Sequence, residues 1–219
     1  MKTAVVSDIH GNSVALKAAL SHIPRDVDKL ICLGDIVGYG PKPRQCVDKI
    51  REESDLTIKG NHEKALIRGE TFNSTTAHYG LEYAKDELYT NHYQWLDNLP
   101  DKIEAEQTLI FHSHPKNEQH IYPDDVEGLI QNLQDTYQIV IYGHTHIPVN
   151  RICDETLVVN PGSIGQPRDS DRRLSYATID TESKEAEIHR VEYDFQQTIQ
   201  QLRDSGFPED SVERILNAN

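Results

Sequence analysis

The segment TAVVSDIHGN, residues 3–12, indicates the fold class of the chain. Residues 3–6 form a short, mainly apolar run that ends directly in the polar residues Ser7 and Asp8. Because short valine-rich runs of this kind are typical of strands buried on both faces, we expect a strand inside a helix-covered sheet. The motif DIHGN then follows at the carboxyl end of that strand.

The same pattern recurs along the chain. Five more short apolar runs occupy residues 30–33, 56–58, 108–111, 139–142 and 157–159. Between these runs, apolar residues at helical spacing occur at residues 13–22, 44–53 and 126–135. Alternation of buried strands with amphipathic helices is characteristic of an α/β domain. We therefore predict an α/β fold in which residues 1–219 form one domain.

Two regions depart from this alternation. Residues 63–100 contain no strand pattern, and they predict two or three helices inserted between strands. Residues 174–180 and 185–193 predict an antiparallel strand pair at a sheet edge. Residues 194–219 predict a helical tail, with one helix to about residue 204, a stop at Gly206 and a short helix after Pro208.

Composition and charge exclude several classes of protein. The 219 residues are 37% hydrophobic and 26% charged, which is ordinary for a globular protein, and no apolar stretch is long enough for a signal peptide or a membrane span. Three widely spaced cysteines indicate reduced thiols, so we expect a cytoplasmic protein. A net charge of −14 disfavours a nuclease that acts on long duplex DNA.

Polar residues gather where the apolar runs end. Because ligand sites of open α/β sheets lie at the carboxyl ends of the strands, these residues are expected to meet at one rim. The random expectation is roughly 0.03 for Gly-Asn-His and about 0.002 for Gly-His-Thr-His, so their joint occurrence is informative. The motifs are DIHGN (8–12), GDIVGYGP (34–41), GNHE (60–63), HSHP (112–115), GHTH (143–146) and NPGS (160–163).

These motifs, in this order, resemble those of the calcineurin-like metallophosphoesterases. The resemblance runs from residue 3 to about residue 180, and it implies a four-layer αββα sandwich with two adjacent metal ions. It also implies that Asp35 bridges the two ions. By the same resemblance, one ion would be held by Asp8, His10, Asp35 and His146, and the other by Asp35, Asn61, His112 and His144.

The residue types agree with such a site. Imidazole, carboxylate and amide ligands without a thiolate suit Mn²⁺, Fe, Zn, Ni or Co, and we expect Mn²⁺. Two divalent ions, two carboxylates and a bridging hydroxide leave a positive charge of about one, which would attract a small phosphorylated substrate. A hydroxide shared by the ions would attack phosphorus in line. The resemblance gives His62 the role of contacting a phosphate oxygen or protonating the leaving oxygen.

One departure concerns substrate choice. The protein phosphatases of this family have Asp-Arg where this chain has Gly38-Tyr39, so we do not expect phosphoproteins as substrates. The glycine-rich segment is more similar to the small prokaryotic phosphodiesterase-type members. Alternative phosphate contacts are Arg168, Arg172 and Arg173, for which solvated loop charges are an equally good interpretation. Further candidates for substrate contact or pocket lining are Asn12 and His114.

The sequence thus predicts a dinuclear metal-dependent phosphoesterase, with phosphodiesters slightly favoured over phosphomonoesters. A non-catalytic scaffold on the same fold is the alternative, although such scaffolds are expected to lose ligands that this chain retains. The oligomeric state is open, a homo-oligomer included. Five histidines outside the motifs are expected at the surface, namely His22, His78, His92, His120 and His189.

Overall fold

The structure, a computed structural model, describes residues 1–105, 107–114, 119–133 and 137–218. Its strands are β1 (Lys2–Val6), β2 (Lys29–Cys32), β3 (Leu56–Thr57), β4 (Lys102–Ala105), β5 (Thr108–Phe111), β6 (Ile139–Ile141), β7 (Val149–Cys153), β8 (Thr156–Asn160), β9 (Leu174–Asp180) and β10 (Glu185–Val191). Its helices are α1 (Ser13–His22), α2 (Pro43–Glu53), α3 (Asn61–Arg68), α4 (Thr75–Glu87), α5 (Thr90–Asp97), α6 (Val126–Asn132), α7 (Phe195–Asp204) and α8 (Glu209–Asn217).

The strands form two mixed sheets of five strands each. The first sheet has the order β10-β9-β1-β2-β3, and its strands β1, β2 and β3 run parallel. The second sheet has the order β4-β5-β6-β8-β7, and its strands β5, β6 and β8 run parallel. Each sheet therefore presents three parallel carboxyl ends, where the predicted motifs begin.

The two sheets pack face to face between layers of helices, as the αββα prediction requires. Alternating residues of β1 show the reason: Val5 packs into the core between the sheets, whereas Ala4 and Val6 pack against α1 and α2 on the other face. Side chains of successive strand residues point to opposite faces, so a strand covered on both sides must be apolar throughout. On the far side, α6 covers the second sheet through Val126 and Leu129.

The insertion consists of α3, α4 and α5, which lie between β3 and β4. The C-terminal helices α7 and α8 form an apolar cluster with this insertion, in which the rings of Tyr79 and Tyr83 lie 4.9 and 5.0 Å from that of Phe207. Asp194 caps α7 by accepting a hydrogen bond from the Gln197 N–H, and Gly206 ends the turn that follows it with φ +73°. In the described residues, no helix has the length and apolar character needed to cross a bilayer.

Several local expectations need correction. Two edge strands, β4 and β7, escaped prediction because most of their side chains are exposed and carry no continuous apolar run. The last strand ends at Val191 instead of residue 193. The helix predicted at residues 126–135 is α6, which ends at Asn132, and residues 134–135 lie outside the described residues. The expectation for His92 is wrong: its ring is buried and bonds Asp48, and it accepts from the Tyr89 N–H at the start of α5.

Candidate metal centre and cavity

The carboxyl ends of the parallel strands bring the seven predicted ligands together. Asp8 and His10 follow β1, Asp35 follows β2, and Asn61 starts α3 directly after β3. From the second sheet, His112 follows β5, and His144 and His146 follow β6. Backbone hydrogen bonds tie the loops to one another, for example from the His10 N–H to the Asp35 carbonyl at 2.9 Å.

Five of the seven residues have left-handed backbone conformations. Such φ values are uncommon for residues with a side chain, and they cost free energy that the surrounding structure must supply. The strand-end loops thus hold these side chains in orientations that an ordinary strand or helix could not provide. The five are Asp8 (φ +54°), His10 (φ +49°), Asp35 (φ +51°), His144 (φ +73°) and His146 (φ +61°).

One group of ligand atoms is formed by Asp8, His10 and His146. Asp8 Oδ1 lies 3.2 Å from His146 Nε2 and 3.8 Å from His10 Nε2, and the two Nε2 atoms are 3.1 Å apart. Asp8 Oδ1 is buried and has no hydrogen-bond partner among the described residues. The other carboxylate oxygen, Oδ2, accepts from the Ser7 hydroxyl and from the His144 N–H.

A second group is formed by Asp35, His112 and His144, with Asn61 beside it. Asp35 Oδ2 lies 3.2 Å from His112 Nε2, which is 3.2 Å from Asn61 Oδ1. The same Asp35 oxygen lies 3.8 Å from His10 Nε2, so Asp35 adjoins both groups. In each group, every residue offers a ligand atom within 4.8 Å of the others.

The outer ring nitrogens show that these groups suit metal ions. Nδ1 of His10, His112 and His146 lies 3.0, 2.8 and 2.5 Å from the carbonyl oxygens of Val37, Leu33 and Gln166 respectively. A carbonyl oxygen only accepts, so each Nδ1 carries a proton and each Nε2 points inward, where a metal ion would take its lone pair in place of a second proton, as in metal-bound histidines. Two such lone pairs 3.1 Å apart repel each other unless a cation lies between them.

Electrostatics in the centre favour ionised carboxylates. Burial alone would raise the pKa of Asp35, but the neighbouring His112 and His62 outweigh it and hold the pKa well below its usual range. Burial alone would lower the pKa of His112, but Asp35 and Asp8 raise it to about 9. Burial lowers the pKa of His144 to about 3. Neighbouring histidines likewise lower the pKa of Asp8 despite its burial, so two buried carboxylates remain available to balance cationic charge.

Glu63 ties the loops of the two adjacent motifs together, and sequence reasoning gave it no role. Its carboxylate is fully buried and accepts from the N–H groups of Asp35 (2.7 Å), Ile36 (2.8 Å), Val37 (3.1 Å) and Gly60 (2.9 Å). Burial and the nearby Asp35 raise the pKa of Glu63 to about 7, although the backbone N–H donors favour the carboxylate form. The left-handed Asp35 is thereby held at a fixed distance from Asn61.

A cavity of about 360 Å³ opens onto the metal centre. Its floor is formed by the predicted ligands Asp35, Asn61, His144 and His146, with His62 beside them. We call the remaining residues the rim, and most of them come from the insertion or from loops. The rim comprises Tyr39, Phe72, Asn73, Ser74, Ala77, His120 and Arg168.

The three candidate arginines have different positions. Arg168 lies at the rim, where its Nε is buried without a hydrogen-bond partner among the described residues and its guanidinium carbon lies 5.5 Å from the centre of the Tyr39 ring. Arg172 lies over the Phe195 ring, and Arg173 forms an exposed ion pair with Asp171, both away from the described lining of the cavity.

Asn12 and His114, the two further candidates for substrate contact, are not part of the described lining of the cavity. The Asn12 side chain accepts from the Ala15 N–H and the Thr198 hydroxyl and donates to the Gly165 carbonyl, which accounts for most of its hydrogen-bonding capacity. These contacts give Asn12 a structural role in capping α1. His114 is half-buried, and the described lining of the cavity does not include it.

The rim residues that sequence reasoning missed include two with aromatic rings outside any motif. Phe72 lies in the insertion, and its ring centre is 4.5 Å from that of His62. His120, which is exposed as expected, stacks its ring 4.0 Å from that of His144 and thus reaches the site. Neither residue lies in a motif, so no local pattern marked them.

Comparison with known proteins agrees with this geometry. Residues 1–184 match the sequence profile of the calcineurin-like phosphoesterase superfamily domain. The uncharacterized protein MJ0912 of Methanocaldococcus jannaschii is 34% identical, over 97% of this chain and 96% of that protein. Phosphodiesterase YfcE of Escherichia coli is 23% identical, over 83% of this chain and 89% of YfcE. A metallophosphoesterase structure from Sphaerobacter thermophilus has a TM-score of 0.89 at 33% identity and covers 100% of both chains.

The chain therefore belongs to the calcineurin-like phosphoesterase superfamily. By class it is a metal-dependent phosphoesterase, which is a hydrolase of ester bonds, and the family implies divalent metal ions as cofactors. The αββα architecture predicted from the motifs is confirmed.

Proposed function

We propose that the protein is a dinuclear metallophosphoesterase that hydrolyses small phosphodiesters or phosphomonoesters. The observation that carries this proposal is the pair of ligand groups that adjoin at Asp35. Asp8, His10 and His146 form one group, and Asp35, His112 and His144 form the other. A single metal ion would leave one of these buried groups without a cation to offset its charge and its inward lone pairs.

The donor set suits the proposed ions. Asp8, His10, Asp35 and His146 would hold one ion, and Asp35, Asn61, His112 and His144 the other. Nitrogen and oxygen donors without a thiolate fit Mn²⁺, which we propose as the ion, and also Fe, Zn, Ni or Co. When bound, a pair of divalent ions supplies an ionised water at neutral pH and neutralises the phosphoryl oxygens.

The protein's own side chains then bind the substrate and handle the proton. Arg168 extends a cationic group to the cavity, where its guanidinium would contact a phosphoryl oxygen. His62 lines the same cavity, and its backbone N–H donates to Asp35 Oδ1 at 2.8 Å. We propose that His62 gives a proton to the leaving oxygen as the P–O bond breaks, while a water oxygen forms the new P–O bond.

Cavity size and charge support a small substrate. A volume of about 360 Å³ accommodates a phosphate group with one modest organic substituent rather than a long polymer. Outside the centre the chain is strongly acidic, with a net charge of −14, which disfavours extended nucleic acid. Similarity to phosphodiesterase YfcE favours diesters slightly over monoesters.

The test combines metal binding with turnover. After chelation and dialysis, calorimetric titration with Mn²⁺ is expected to show two bound ions per chain, and bis(p-nitrophenyl) phosphate is expected to be hydrolysed only after Mn²⁺ is restored. Asp35→Asn is expected to abolish both the two-ion stoichiometry and turnover. The matched control is Asp180→Asn, which changes an exposed carboxylate. This variant is expected to keep both the two-ion stoichiometry and the turnover.

Two results would contradict the proposal. Full activity of Asp35→Asn would remove the bridging carboxylate from the mechanism. Binding of two ions without turnover of any phosphate ester would instead favour the scaffold alternative. A panel of phosphorylated metabolites, tested with several divalent ions, would identify the preferred substrate.

A further inference from the structure

The ring of His62 is surrounded by other aromatic rings. Its centre lies 4.5 Å from that of Phe72 and 5.0 Å from that of Tyr39, with interplanar angles of 32° and 44°. The ring of His10 lies 4.7 Å away, edge to face. His62 is therefore held on three sides by rings, of which Phe72 belongs to the insertion and Tyr39 to the loop after β2.

No side-chain hydrogen bond orients this imidazole within the described part of the chain. Its Nδ1 is buried and without a partner there. Gly38 occupies the adjacent space with φ +97°, and a Cβ atom on Gly38 would lie 2.1 Å from His62 Nδ1. Any side chain at position 38 would therefore overlap the observed position of the His62 ring.

Tyr39 is itself fixed from several sides. The guanidinium carbons of Arg168 and Arg214 lie 5.5 and 5.9 Å from the centre of its ring, at distances typical of cation–π contacts. The backbone of α4 approaches so closely that a Cβ on Gly80 would lie 2.3 Å from the Tyr39 nitrogen. The insertion thus restricts the backbone at Tyr39, and Arg214 of α8 and Arg168 contact its ring.

From these contacts we infer that Phe72 and Tyr39 are positioning residues that orient His62 by ring packing. In contrast, many catalytic histidines are oriented by a hydrogen-bonded carboxylate or carbonyl. This inference rests on the proposed function in taking His62 as the proton donor. Close-packed rings restrict rotation of the imidazole because any other rotamer would lose contacts or overlap a neighbour. Correct orientation matters since a misplacement of about 1 Å can cost on the order of a hundredfold in rate.

Direct contact of Phe72 with the substrate is the rival explanation, because Phe72 also lines the cavity. The two explanations differ in which kinetic step suffers. A misplaced proton donor slows only the departure of a leaving group that needs a proton, whereas a lost substrate contact weakens binding of any ester.

The experiment compares methyl p-nitrophenyl phosphate, whose leaving group departs without a proton, with methyl phenyl phosphate, whose leaving group benefits from one. Phe72→Leu and Tyr39→Leu are expected to lower kcat for the phenyl ester by on the order of tenfold or more, with little change for the nitrophenyl ester or in KM. In a His62→Ala background the same substitutions are expected to have no further effect. Tyr79→Leu, which removes an insertion ring that packs on Phe207, is the matched control.

Three results would overturn the inference. A raised KM that adds to the effect of His62→Ala would make Phe72 a substrate contact. Equal loss of kcat on both esters together with a lowered Tm would indicate a merely structural role. A crystal structure of the metal-free Phe72→Leu/Tyr39→Leu variant in which His62 keeps its ring position would show that the rings do not orient it.

The structural measurement also separates this inference from the proposed function. Should the wild-type protein hydrolyse neither these diesters nor any phosphomonoester with any divalent ion, the proposed function fails. The His62 ring position in the metal-free variant would still report whether Phe72 and Tyr39 hold the imidazole.

Discussion

The floor and the rim of the cavity differ in how their side chains are held. Floor residues follow buried parallel strands, and Glu63 and backbone carbonyls fix their loops and rings. Rim residues such as Phe72 and His120 belong to the insertion and to connecting loops, and they are held mainly by contacts between rings. Under the proposed function, this difference leads us to expect that the chemistry and the choice of substrate depend on separate parts of the chain.

This difference leads to a ranking of effects. Changes in the floor should remove metal ions and hence the reaction itself, whereas changes in the rim should alter rates only for particular substrates.

Replacing the carboxylate of Asp8 should have the largest effect. Asp8→Asn removes one negative charge from the group with His10 and His146, so we expect loss of one bound ion and a fall in kcat/KM of about 1,000-fold or more. Calorimetry with Mn²⁺ and ester hydrolysis measure the two quantities. Retention of two ions with unchanged affinity would show that Asp8 is dispensable for metal binding.

Substitution of Glu63 tests whether metal binding in the floor depends on the hydrogen bonds that hold the loop backbone. Glu63→Gln keeps the size of the side chain but has only one oxygen to accept from four N–H groups, so we expect Mn²⁺ affinity to fall by about 10- to 100-fold. The exposed Glu70, which follows the end of α3, provides the control variant Glu70→Gln. If Glu63→Gln lowered Tm but left metal affinity intact, Glu63 would support the fold alone.

Arg168 and Arg172 provide a matched pair for the rim. Arg168→Gln removes a cation that reaches the cavity, so we expect kcat/KM to fall by roughly 10- to 100-fold while metal affinity is unchanged. Arg172→Gln, which removes a cation packed on Phe195, should change kcat/KM by less than about twofold. Equal effects of the two substitutions would mean that general charge, rather than a contact in the cavity, attracts the substrate.

His120 should give the smallest effect. Its ring packs on His144 at the exposed side of the cavity, so His120→Ala is expected to change kcat/KM by no more than roughly tenfold. The size of the change should differ among esters with different organic groups, because the rim contacts these groups. Competition between two esters in one reaction mixture measures this selectivity directly. An equal change for all esters would instead indicate that His120 affects the reaction itself, as floor residues do, and not the choice of substrate.

Much of the fold and floor could be predicted from local patterns. Asp8 and Asp35 each follow an apolar run, and parallel strands bring their carboxyl ends to one edge of a sheet. The same reasoning could not find β7, whose residues 150–152 are exposed, nor the burial of His92, which depends on Asp48 some 44 residues away. Both features arise from contacts between segments that lie far apart in the sequence.

The amino-acid sequence by itself determined the α/β class, the order of the strand-end motifs and the identity of the candidate metal ligands. The class and the placement of the motifs follow from residue type and short-range periodicity, whereas the candidate ligands follow from the resemblance of these motifs to a known family. Only the tertiary structure decided that Phe72 and Tyr39 enclose His62, that Glu63 joins two loops and that Arg168 alone of three candidate arginines reaches the described part of the cavity. Such contacts depend on how the insertion and the C-terminal helices pack against the sheets, and packing between distant segments leaves no local signal in the sequence.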